Sequence, residues 1–531
     1  MFASEHITYL ETNAFSKFVI DYIQGKPLLQ QFHSFPTTLE GIKLAIERRQ
    51  QQKVERDILV EVLKDQYSTV EVCDEVSKNI EALQQENCFT VCTAHQPALF
   101  TGPLYFIYKI LHTIKLAAHI QQQYSDIRIV PVYYMGSEDA DFDELGHFTV
   151  EGKKYVWKTT QTGAFGRFKV DKSLVQLITD LEGQLVGSFS AEWIAAIRRY
   201  FKIGDTIQNA TFKLIDFLFK KFGLIVLIAD DRRLKRLMIP VFTEDLFEQK
   251  PSAIVQDTCS KLDNLNYNVQ ANPREINLFY MTDGVRARIV QEGDCYKVHK
   301  TNFSFSELEL EKELNDHPEH FSPNVILRGL YQETILPNLA FLGGGGELAY
   351  WTQLKDLFET YNVCYPILLL RNSFLIVTEK QDAIIQKLGL TTVELFKTEL
   401  QIVNSLIEKQ GRKPHLNGQL DKLTILYDEL KSTASQVDPT LEQHVQALKV
   451  KAVNRLMILE KKMLRSERKK YEAKQRQVNK LKTELFPSNG LQERIENVSS
   501  FYSKWGMYFI EELYRHSLTL EQQFTVLYQK N

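Results

Sequence analysis

Three segments of the sequence concentrate residues whose types could do chemistry. In residues 93–105 the candidate binding residues are His95, Gln96, Thr101, Gly102 and Tyr105. A helix that starts near Gly102 would present free backbone N–H groups, which favour a phosphate or a carboxylate. His95 and Gln96 could add side-chain donors. The alternative is an ordinary loop in which Thr101 caps the helix and Pro103 takes its first position.

The second segment, residues 136–144, is acidic and contains five carboxylates within seven residues. Such a group could hold Mg²⁺, bind an amine or accept hydrogen bonds from sugar hydroxyls. A solvated acidic turn is the alternative. Glu138 and Asp139 are the predicted catalytic residues, because they lie closest to the end of the preceding apolar run.

The third segment, residues 328–351, combines a cation, polar side chains and a glycine run. Its candidate binding residues are Arg328, Gln332, Glu333, Gly344, Gly345, Glu347 and Trp351. Four consecutive glycines before a helix would permit close approach of the backbone to a ligand, and a positive φ where the turn demands it. The segment is neither a Walker loop nor G-x-G-x-x-G, so it predicts no nucleotide motif. A flexible turn is the alternative.

The elements around these segments predict an α/β fold. Residues 89–93 are rich in β-formers, an amphipathic helix is predicted from about 102 to 122, and 127–135 is a second apolar strand. Strand, loop, helix and strand form the βαβ unit of a parallel sheet. Ligands bind at the carboxyl ends of such strands, which is where the chemistry-bearing segments are expected to lie.

The same unit recurs along the chain. Further predicted elements are helices over 205–221 and 234–248, strands over 224–229, 325–328 and 363–370, and a helix from Glu347. Short, continuously apolar strands that alternate with helices are typical of a Rossmann-like parallel sheet covered on both faces. Residues 148–159 and 285–298 are predicted hairpins, which makes them inserted connecting modules.

The C-terminal part predicts a long α-helical coiled coil. The predicted elements are helices over 380–410 and 417–435, a turn at 411–414, and a helix that starts at Asp438 and Pro439 and ends at Leu485. Apolar residues along the last helix step by four and three, as in a coiled-coil seam. We therefore expect an antiparallel hairpin over 417–486 whose tip contacts a second subunit.

Length predicts more than one structural unit, because 531 residues exceed one ordinary core. The predicted divisions are an N-terminal helical segment packed on the core (1–85), the Rossmann-like core with inserted modules (86–377), a helical coiled-coil dimerisation domain (378–499) and a C-terminal segment that returns to the core (500–531).

Composition narrows the class of protein. A net charge of −3 gives no global electrostatic argument for a nucleic-acid or membrane partner. The longest apolar runs have the length of strands, and the N-terminus lacks the pattern of a signal peptide. Six scattered cysteines suggest neither a disulfide framework nor a zinc-ligand set. A reducing cytoplasm is therefore expected, and no metal site is predicted.

Taken in order, the three segments resemble the bacillithiol-biosynthesis cysteine-adding enzyme family. The motifs that carry this resemblance are Thr101-Gly-Pro-Leu-Tyr105, Gly136-Ser-Glu-Asp-Ala-Asp-Phe142 and Gly343-Gly-Gly-Gly-Glu347. The similarity extends over essentially the whole chain. It implies a Rossmann-like core, a helical domain that forms a homodimer, and a ligase that adds cysteine to the amine of glucosaminyl-malate.

The implied reaction requires activation, because a carboxylate is a poor acyl donor. ATP, with or without Mg²⁺, is the expected co-substrate, and the intermediate would be an adenylate or an acyl phosphate. No tightly bound cofactor is expected. This expectation rests on the energetics of the amide bond, since the chain has neither H-x-G-H nor K-M-S-K-S. In this scheme Arg328 holds a malate carboxylate, while Glu138 and Asp139 face the amine.

A basic stretch leaves a different class of function open. Residues 461–482 contain ten Lys or Arg against Glu467 and Glu472. This stretch could bind RNA or an acidic protein, which would make the chain a coiled-coil binding protein. A solvated face of the coiled coil is the simpler explanation, and neither a nucleic acid nor a membrane is the expected partner. The enzyme hypothesis alone requires the three segments to meet in one cleft.

Overall fold

The chain forms two compact units in the computed structural model, which describes residues 1–409 and 415–530. The first unit is made of Met1–Leu375 and Gly490–Leu527, and the second of Ile376–Asn489 with the last residues from Tyr528. The predicted turn at 411–414 lies outside the described residues. The four-part division drawn from the sequence stays a prediction.

The strands are short, and most lie in the first unit. They are β1 (Phe2–Thr8), β2 (Cys88–His95), β3 (Arg128–Met135), β4 (His147–Val150), β5 (Lys153–Val156), β6 (Ile225–Ile228), β7 (Leu278–Thr282), β8 (Val285–Glu292), β9 (Cys295–Val298), β10 (Ser304–Ser306), β11 (Phe321–Pro323), β12 (Asn338–Gly343), β13 (Ile367–Leu370), β14 (Phe374–Val377) and β15 (Gln523–Gln529).

The helices of the first unit alternate with these strands. They are α1 (Lys17–Ile23), α2 (Leu39–Gln50), α3 (Arg56–Tyr67), α4 (Asp74–Ala82), α5 (Tyr105–Gln123), α6 (Phe142–Leu145), α7 (Lys172–Glu182), α8 (Ser190–Tyr200), α9 (Ile207–Phe219), α10 (Arg232–Arg236), α11 (Ile239–Thr243), α12 (Lys250–Asn264), α13 (Glu307–Asp316), α14 (Val325–Ile335), α15 (Gly345–Trp351) and α16 (Lys355–Thr360).

Further helices follow along the chain, the last three of them back in the first unit. They are α17 (Glu379–Leu388), α18 (Thr392–Leu395), α19 (Glu399–Lys409), α20 (Asn417–Val437), α21 (Leu441–Lys470), α22 (Glu472–Leu485), α23 (Gln492–Ile495), α24 (Ser499–Trp505) and α25 (Met507–His516).

A five-stranded parallel sheet in the order β13-β12-β2-β3-β6 forms the centre of the first unit. β2 and β6 are buried at every position, as expected when helices cover both faces. On one face Val91, Ile129 and Leu369 pack with residues of α2 and α5 in a single hydrophobic cluster. The Rossmann-like α/β fold and its first βαβ unit, formed by β2, α5 and β3, are therefore confirmed.

The inserted modules are antiparallel. β4 and β5 form a hairpin, and β8 and β9 form another within a five-stranded sheet ordered β10-β9-β8-β7-β11. Both predicted hairpins are confirmed. A third sheet, ordered β1-β15-β14, joins strands from both ends of the chain.

The strand predicted at 325–328 is wrong. Asn324 caps a helix there, because its side chain accepts a hydrogen bond from the backbone N–H of Ile326 at 2.8 Å. That helix, α14, continues to Ile335. It ends there because Leu336 precedes Pro337, and the residue before a proline disfavours the helical conformation. The extended segment begins only afterwards, as β12, within the run that the sequence suggested was a ligand loop.

Other boundaries also differ from the predictions. Within the segment 1–85 that was expected to be helical, residues 2–8 form β1, whereas 39–67 contain the two helices α2 and α3. The helix predicted over 234–248 is divided into α10, α11 and one π-helical turn, and 380–410 contains three short helices. Local periodicity fixes the apolar face of a helix but does not locate its breaks.

The second unit contains the predicted hairpin in shortened form. α20 and α21 run antiparallel and are joined by ion pairs such as Lys449 with Asp428 at 2.6 Å. α21 ends at Lys470, and α22 follows after Tyr471 and buries Val478 and other apolar residues beside α19. The predicted single helix from Asp438 to Leu485 is therefore two helices.

The start of α21 also differs from its prediction. Asp438 closes α20, and its carboxylate accepts a hydrogen bond from Thr440, which is the N-cap of α21. Part of the basic stretch is engaged within the unit, since Lys482 donates to the Leu395 carbonyl and Arg468 to Asn404. None of the helices in the described residues combines the length and apolar character needed to cross a bilayer.

Candidate active site

A cavity of about 530 Å³ opens at the carboxyl ends of β2 and β3. Its other walls come from the antiparallel sheet and from α14 and α15. The predicted site residues that line it are His95, Gln96, Tyr105, Glu138, Asp139, Arg328 and Glu347. Three segments that are far apart in the sequence therefore meet in one cleft, as the enzyme hypothesis required.

Glu138 lies in a buried network of charges. Its carboxylate pairs with the ammonium of Lys235, which is fully buried and also lies 3.4 Å from Asp230. Arg167 holds Asp230 through two hydrogen bonds of 2.8 and 2.9 Å. Burial raises the pKa of Glu138 above its ordinary value; Lys235 opposes this, and Asp230 adds to it. A raised pKa makes this carboxylate a better proton acceptor than an ordinary glutamate.

Asp139 is fixed by short hydrogen bonds at the mouth of the same cleft. One carboxylate oxygen accepts from the Gln96 amide at 3.0 Å, and the other accepts from the backbone N–H of Ala140 at 2.7 Å. The Gln96 side chain therefore links the first and second segments.

His95 is a buried, neutral imidazole. Its Nδ1 faces the Gln96 carbonyl at 2.8 Å and must donate there, so Nε2 accepts from the Tyr105 hydroxyl at 3.1 Å. Burial, helped by the neighbouring Lys109 cation, lowers the pKa of His95 to about 4. His95 therefore positions Tyr105, and its own ring nitrogens are both occupied.

The third segment is attached to α5, the helix that follows the first segment, by a partly buried ion pair. Lys109 on α5 donates to the Ala94 carbonyl at 2.6 Å and to the Glu347 carboxylate at 2.5 Å. Glu347 also accepts from the backbone N–H of Gly344 at 2.8 Å. Burial alone would raise the pKa of Glu347, but Lys109 and this N–H hold it below its ordinary value. Arg328 lies beside this pair and donates to the Tyr350 hydroxyl.

The first predicted loop contributes less than expected. Thr101 and Gly102 do not line the cavity, and α5 starts only at Tyr105, with Leu104 as its N-cap. The backbone N–H of Gly102 is bonded to the Leu99 carbonyl and that of Leu104 to the Glu496 carbonyl. The predicted anion site at Gly102 is therefore wrong, because its donors are already satisfied within the fold.

Three residues of the third segment are part of the core instead of the site. Glu333 forms a buried ion pair with Arg49 at 2.9 Å and accepts from Gln332 at 2.9 Å. Trp351 stacks on Phe341 with ring centroids 4.5 Å apart. None of the predicted residues Gln332, Glu333 and Trp351 lines the cavity.

The glycine run serves packing. None of its residues has a positive φ. A Cβ on Gly343 would lie 2.9 Å from the Phe341 ring, and one on Gly345 would lie 2.7 Å from a methyl of Val19. Gly344 and Gly345 do not line the cavity. The sequence predicted that a ligand would approach this backbone closely; the groups that approach it are instead the side chains of Phe341 and Val19.

Sequence reasoning missed several charged residues at the cavity. Lys109 was detectable as a single charge within the apolar run that starts α5. Arg286 and Arg288 on β8 gave no signal, because they belong to a hairpin that is far from the other segments in sequence. Lys235 does not line the cavity itself but contacts two residues that do, Glu138 and Asp230.

One group of potential metal ligands occurs elsewhere in the described residues. Ligand atoms of His317, Glu319 and His320 lie within 4.8 Å of one another. These residues do not line the cavity, and Glu319 also pairs with Arg232 at 3.6 Å.

Two family models match nearly the whole chain. Residues 3–372 match "Bacillithiol biosynthesis BshC, N-terminal Rossmann-like domain", and residues 374–529 match the C-terminal coiled-coil domain of the same family. Among the solved structures, one titled as a "putative arginyl t-RNA synthetase" from Campylobacter jejuni covers 77% of this chain and 93% of its own. Its identity of 10% and TM-score of 0.22 are too low to support an inference.

Curated relatives extend over the same length. A protein of Christiangramia forsetii is 38% identical, and the match covers 98% of each chain. One of Flavobacterium johnsoniae is 39% identical over 98% of this chain and 99% of its own. Both carry the name "Putative cysteine ligase BshC". The resemblance seen in the motifs is therefore confirmed: the chain belongs to the bacillithiol biosynthesis BshC family, and it is a ligase.

Proposed function

We propose that this ligase joins the carboxylate of L-cysteine to the amine of glucosaminyl-malate and so forms bacillithiol. The observation that carries the proposal is the meeting of Gln96, Glu138, Asp139, Arg328 and Glu347 around one cavity at the carboxyl edge of the parallel sheet. Both signs of charge are present there, which suits a substrate that carries an ammonium and two carboxylates.

The amine side of the site is assigned to Glu138 and Asp139. An ammonium must lose a proton before it can attack an acyl group, and a carboxylate whose pKa is raised by burial is suited to accept it. Lys235 keeps the Glu138 side chain in place through their ion pair. Asp139, which accepts a hydrogen bond from Gln96, is the proposed group that orients the amine.

The acyl side of the site is assigned to the wall that contains Arg328 and the Lys109–Glu347 pair. Arg328 supplies a guanidinium that can bind a carboxylate through parallel hydrogen bonds. ATP is the proposed co-substrate, with or without Mg²⁺, because the cysteine carboxylate needs a leaving group. Glu138 takes the proton that the ammonium loses before attack; the amine nitrogen then attacks the activated carbonyl carbon, the carbon–oxygen bond to the phosphate breaks, and the second proton of the nitrogen leaves with the phosphate group.

A reconstituted reaction tests this proposal. Purified full-length protein is incubated with cysteine, glucosaminyl-malate and ATP, and the thiol product is identified by mass spectrometry. We expect bacillithiol to form only with ATP; release of AMP would indicate an adenylate, and release of ADP an acyl phosphate. Absence of the product from the complete mixture would refute the proposed function.

A matched pair of variants tests the role of Glu138. Glu138→Gln should lower kcat by about 10²–10⁴-fold, the usual contribution of general acid–base catalysis, with little change in KM. Asp143→Asn is the control, since Asp143 belongs to the same acidic segment but does not line the cavity. Equal effects of the two substitutions would contradict the assignment.

The second unit is proposed to form a homodimer. α20 and α21 have no buried residue, and Leu430, Leu441 and Leu448 are each about two-fifths or more exposed. Together with neighbouring apolar residues they line a groove of about 390 Å³. A solvent-exposed leucine stripe on a helical hairpin is typical of a coiled-coil surface that is covered by a second subunit.

A further inference from the structure

Two arginines of β8 form a cationic face on the wall of the cavity. Arg286 and Arg288 are two residues apart and lie opposite Met281 and Phe279 of β7. Side chains two positions apart point to the same side of a strand, with about 7 Å between their Cα atoms. Both side chains line the same cavity as Glu138.

No carboxylate lies within ion-pair distance of Arg286 in the described residues, although Asp139 and Glu138 attract it from further away. Its Nε donates to the Ser322 hydroxyl at 3.1 Å, and its guanidinium lies over the Phe279 ring, 4.0 Å from the centroid. Stacking fixes the plane of the guanidinium and leaves the edge that carries its terminal N–H groups for another acceptor. Arg286 is half-buried and these two carboxylates reach it only at longer range, so an anionic ligand on the free edge of the guanidinium would stabilise it further. Arg288 likewise forms no ion pair in the described chain.

Ser322 connects this face to the amine side of the site. Its hydroxyl accepts from Arg286 and donates to the Glu138 carboxylate at 3.3 Å. Glu138 and Arg286 are therefore separated by a single hydroxyl group. In a glucosaminyl glycoside the carbon that bears the amine is bonded to the anomeric carbon that bears the malyl group. A ligand whose amine faces Glu138 would thus direct its carboxylates towards β8.

We propose that Arg286 and Arg288 bind the two malate carboxylates of the acceptor and select it over glucosamine derivatives without them. This inference rests on the proposed function. It assigns to the two arginines of β8 the binding of malate carboxylates that the sequence suggested for Arg328. Arg328 already donates to Tyr350 and lies beside Glu347, which places it with the acyl side. Two separate cations suit two carboxylates, and each guanidinium can bind one through paired hydrogen bonds.

Calorimetric binding of glucosaminyl-malate to the full-length protein, without cysteine or ATP, tests the inference. Arg286→Met and Arg288→Met should each weaken binding by about tenfold or more, as loss of a hydrogen-bonded charge pair does. Arg286→Lys should weaken it too, because the ammonium lacks the planar fork. Arg198→Met is the control, since Arg198 pairs with Glu182 outside the cavity.

Two further ligands separate the possible outcomes. Methyl glucosaminide, which has no carboxylate, should bind the wild type and the β8 variants equally. Unchanged affinity of the variants for glucosaminyl-malate would overturn the inference, as would an equal loss for methyl glucosaminide. A loss of ATP affinity in place of acceptor affinity would assign the arginines to phosphate and overturn it as well. If the wild type itself neither binds glucosaminyl-malate nor forms bacillithiol, the proposed function fails.

Discussion

The ion pair between Lys109 and Glu347 should be essential to the stability of the first unit. Its two side chains differ in environment, with 2% of Lys109 and 25% of Glu347 exposed. We consider the substitutions Lys109→Met and Glu347→Gln singly and together. Each single substitution leaves the other charge without its partner, whereas the double variant leaves neither charge.

The difference in exposure sets the expected magnitudes. Breaking a buried pair by removing one partner costs about 3–5 kcal/mol. Glu347→Gln should cost about this much, because the Lys109 ammonium would keep only the Ala94 carbonyl. Lys109→Met should cost less, about 2–3 kcal/mol, because the Glu347 carboxylate reaches water and keeps the Gly344 N–H. The double variant should recover at least 1 kcal/mol relative to the sum of the two.

Tryptophan fluorescence during urea unfolding is a suitable assay. All four tryptophans of the chain lie in the first unit, so the signal does not average the two units. The folded pKa of Glu347 is below its unfolded value, so the pair's contribution is complete above the ordinary value of 4.5 and is lost as pH falls through the folded pKa. A coupling energy of zero at pH 7, or one that grows on acidification, would refute the reasoning.

Three further predictions concern His95, the glycine run and the helical hairpin of the second unit. His95→Asn should make the stability of the first unit less sensitive to acid. The pKa of His95 is about 4 in the folded protein and 6.5 ordinarily, so the unfolded chain takes up a proton first as pH falls. The free energy of unfolding of the wild type should therefore fall by about 2 kcal/mol between pH 8 and pH 5. Gly345→Ala should destabilise the protein by about 1–3 kcal/mol, because the new Cβ would overlap a methyl group of Val19. Gly346→Ala is the control and should be close to neutral, since its Cβ would have no neighbour closer than 3.9 Å. Equal urea midpoints for the two variants would contradict this prediction. Light scattering should show a dimer for the wild type and a monomer after Leu448→Lys and Leu456→Lys, and a monomeric wild type would exclude the proposed interface.

The sequence by itself determined the fold class and the order of the main elements. Continuously apolar strands such as β2 and β6 can be stable only between two layers of helices, so their pattern predicts a parallel sheet. Because ligand sites lie at the carboxyl ends of such strands, the same pattern located Gln96, Glu138 and Asp139 at the cavity. These inferences need only local residue patterns.

Tertiary structure alone decided which polar residues serve the site and which serve the core. Glu333 and Glu347 lie in the same segment, yet Glu333 is paired with Arg49 in the interior while Glu347 faces the cavity beside Lys109. The same holds for Arg286, whose strand β8 pairs with β7; β7 in turn pairs with β11, which carries Ser322, the hydrogen-bond acceptor of Arg286. Partners that are 36 to 284 residues apart in sequence determine these roles. Burial and hydrogen bonding depend on neighbours in space and leave no periodic trace along the chain.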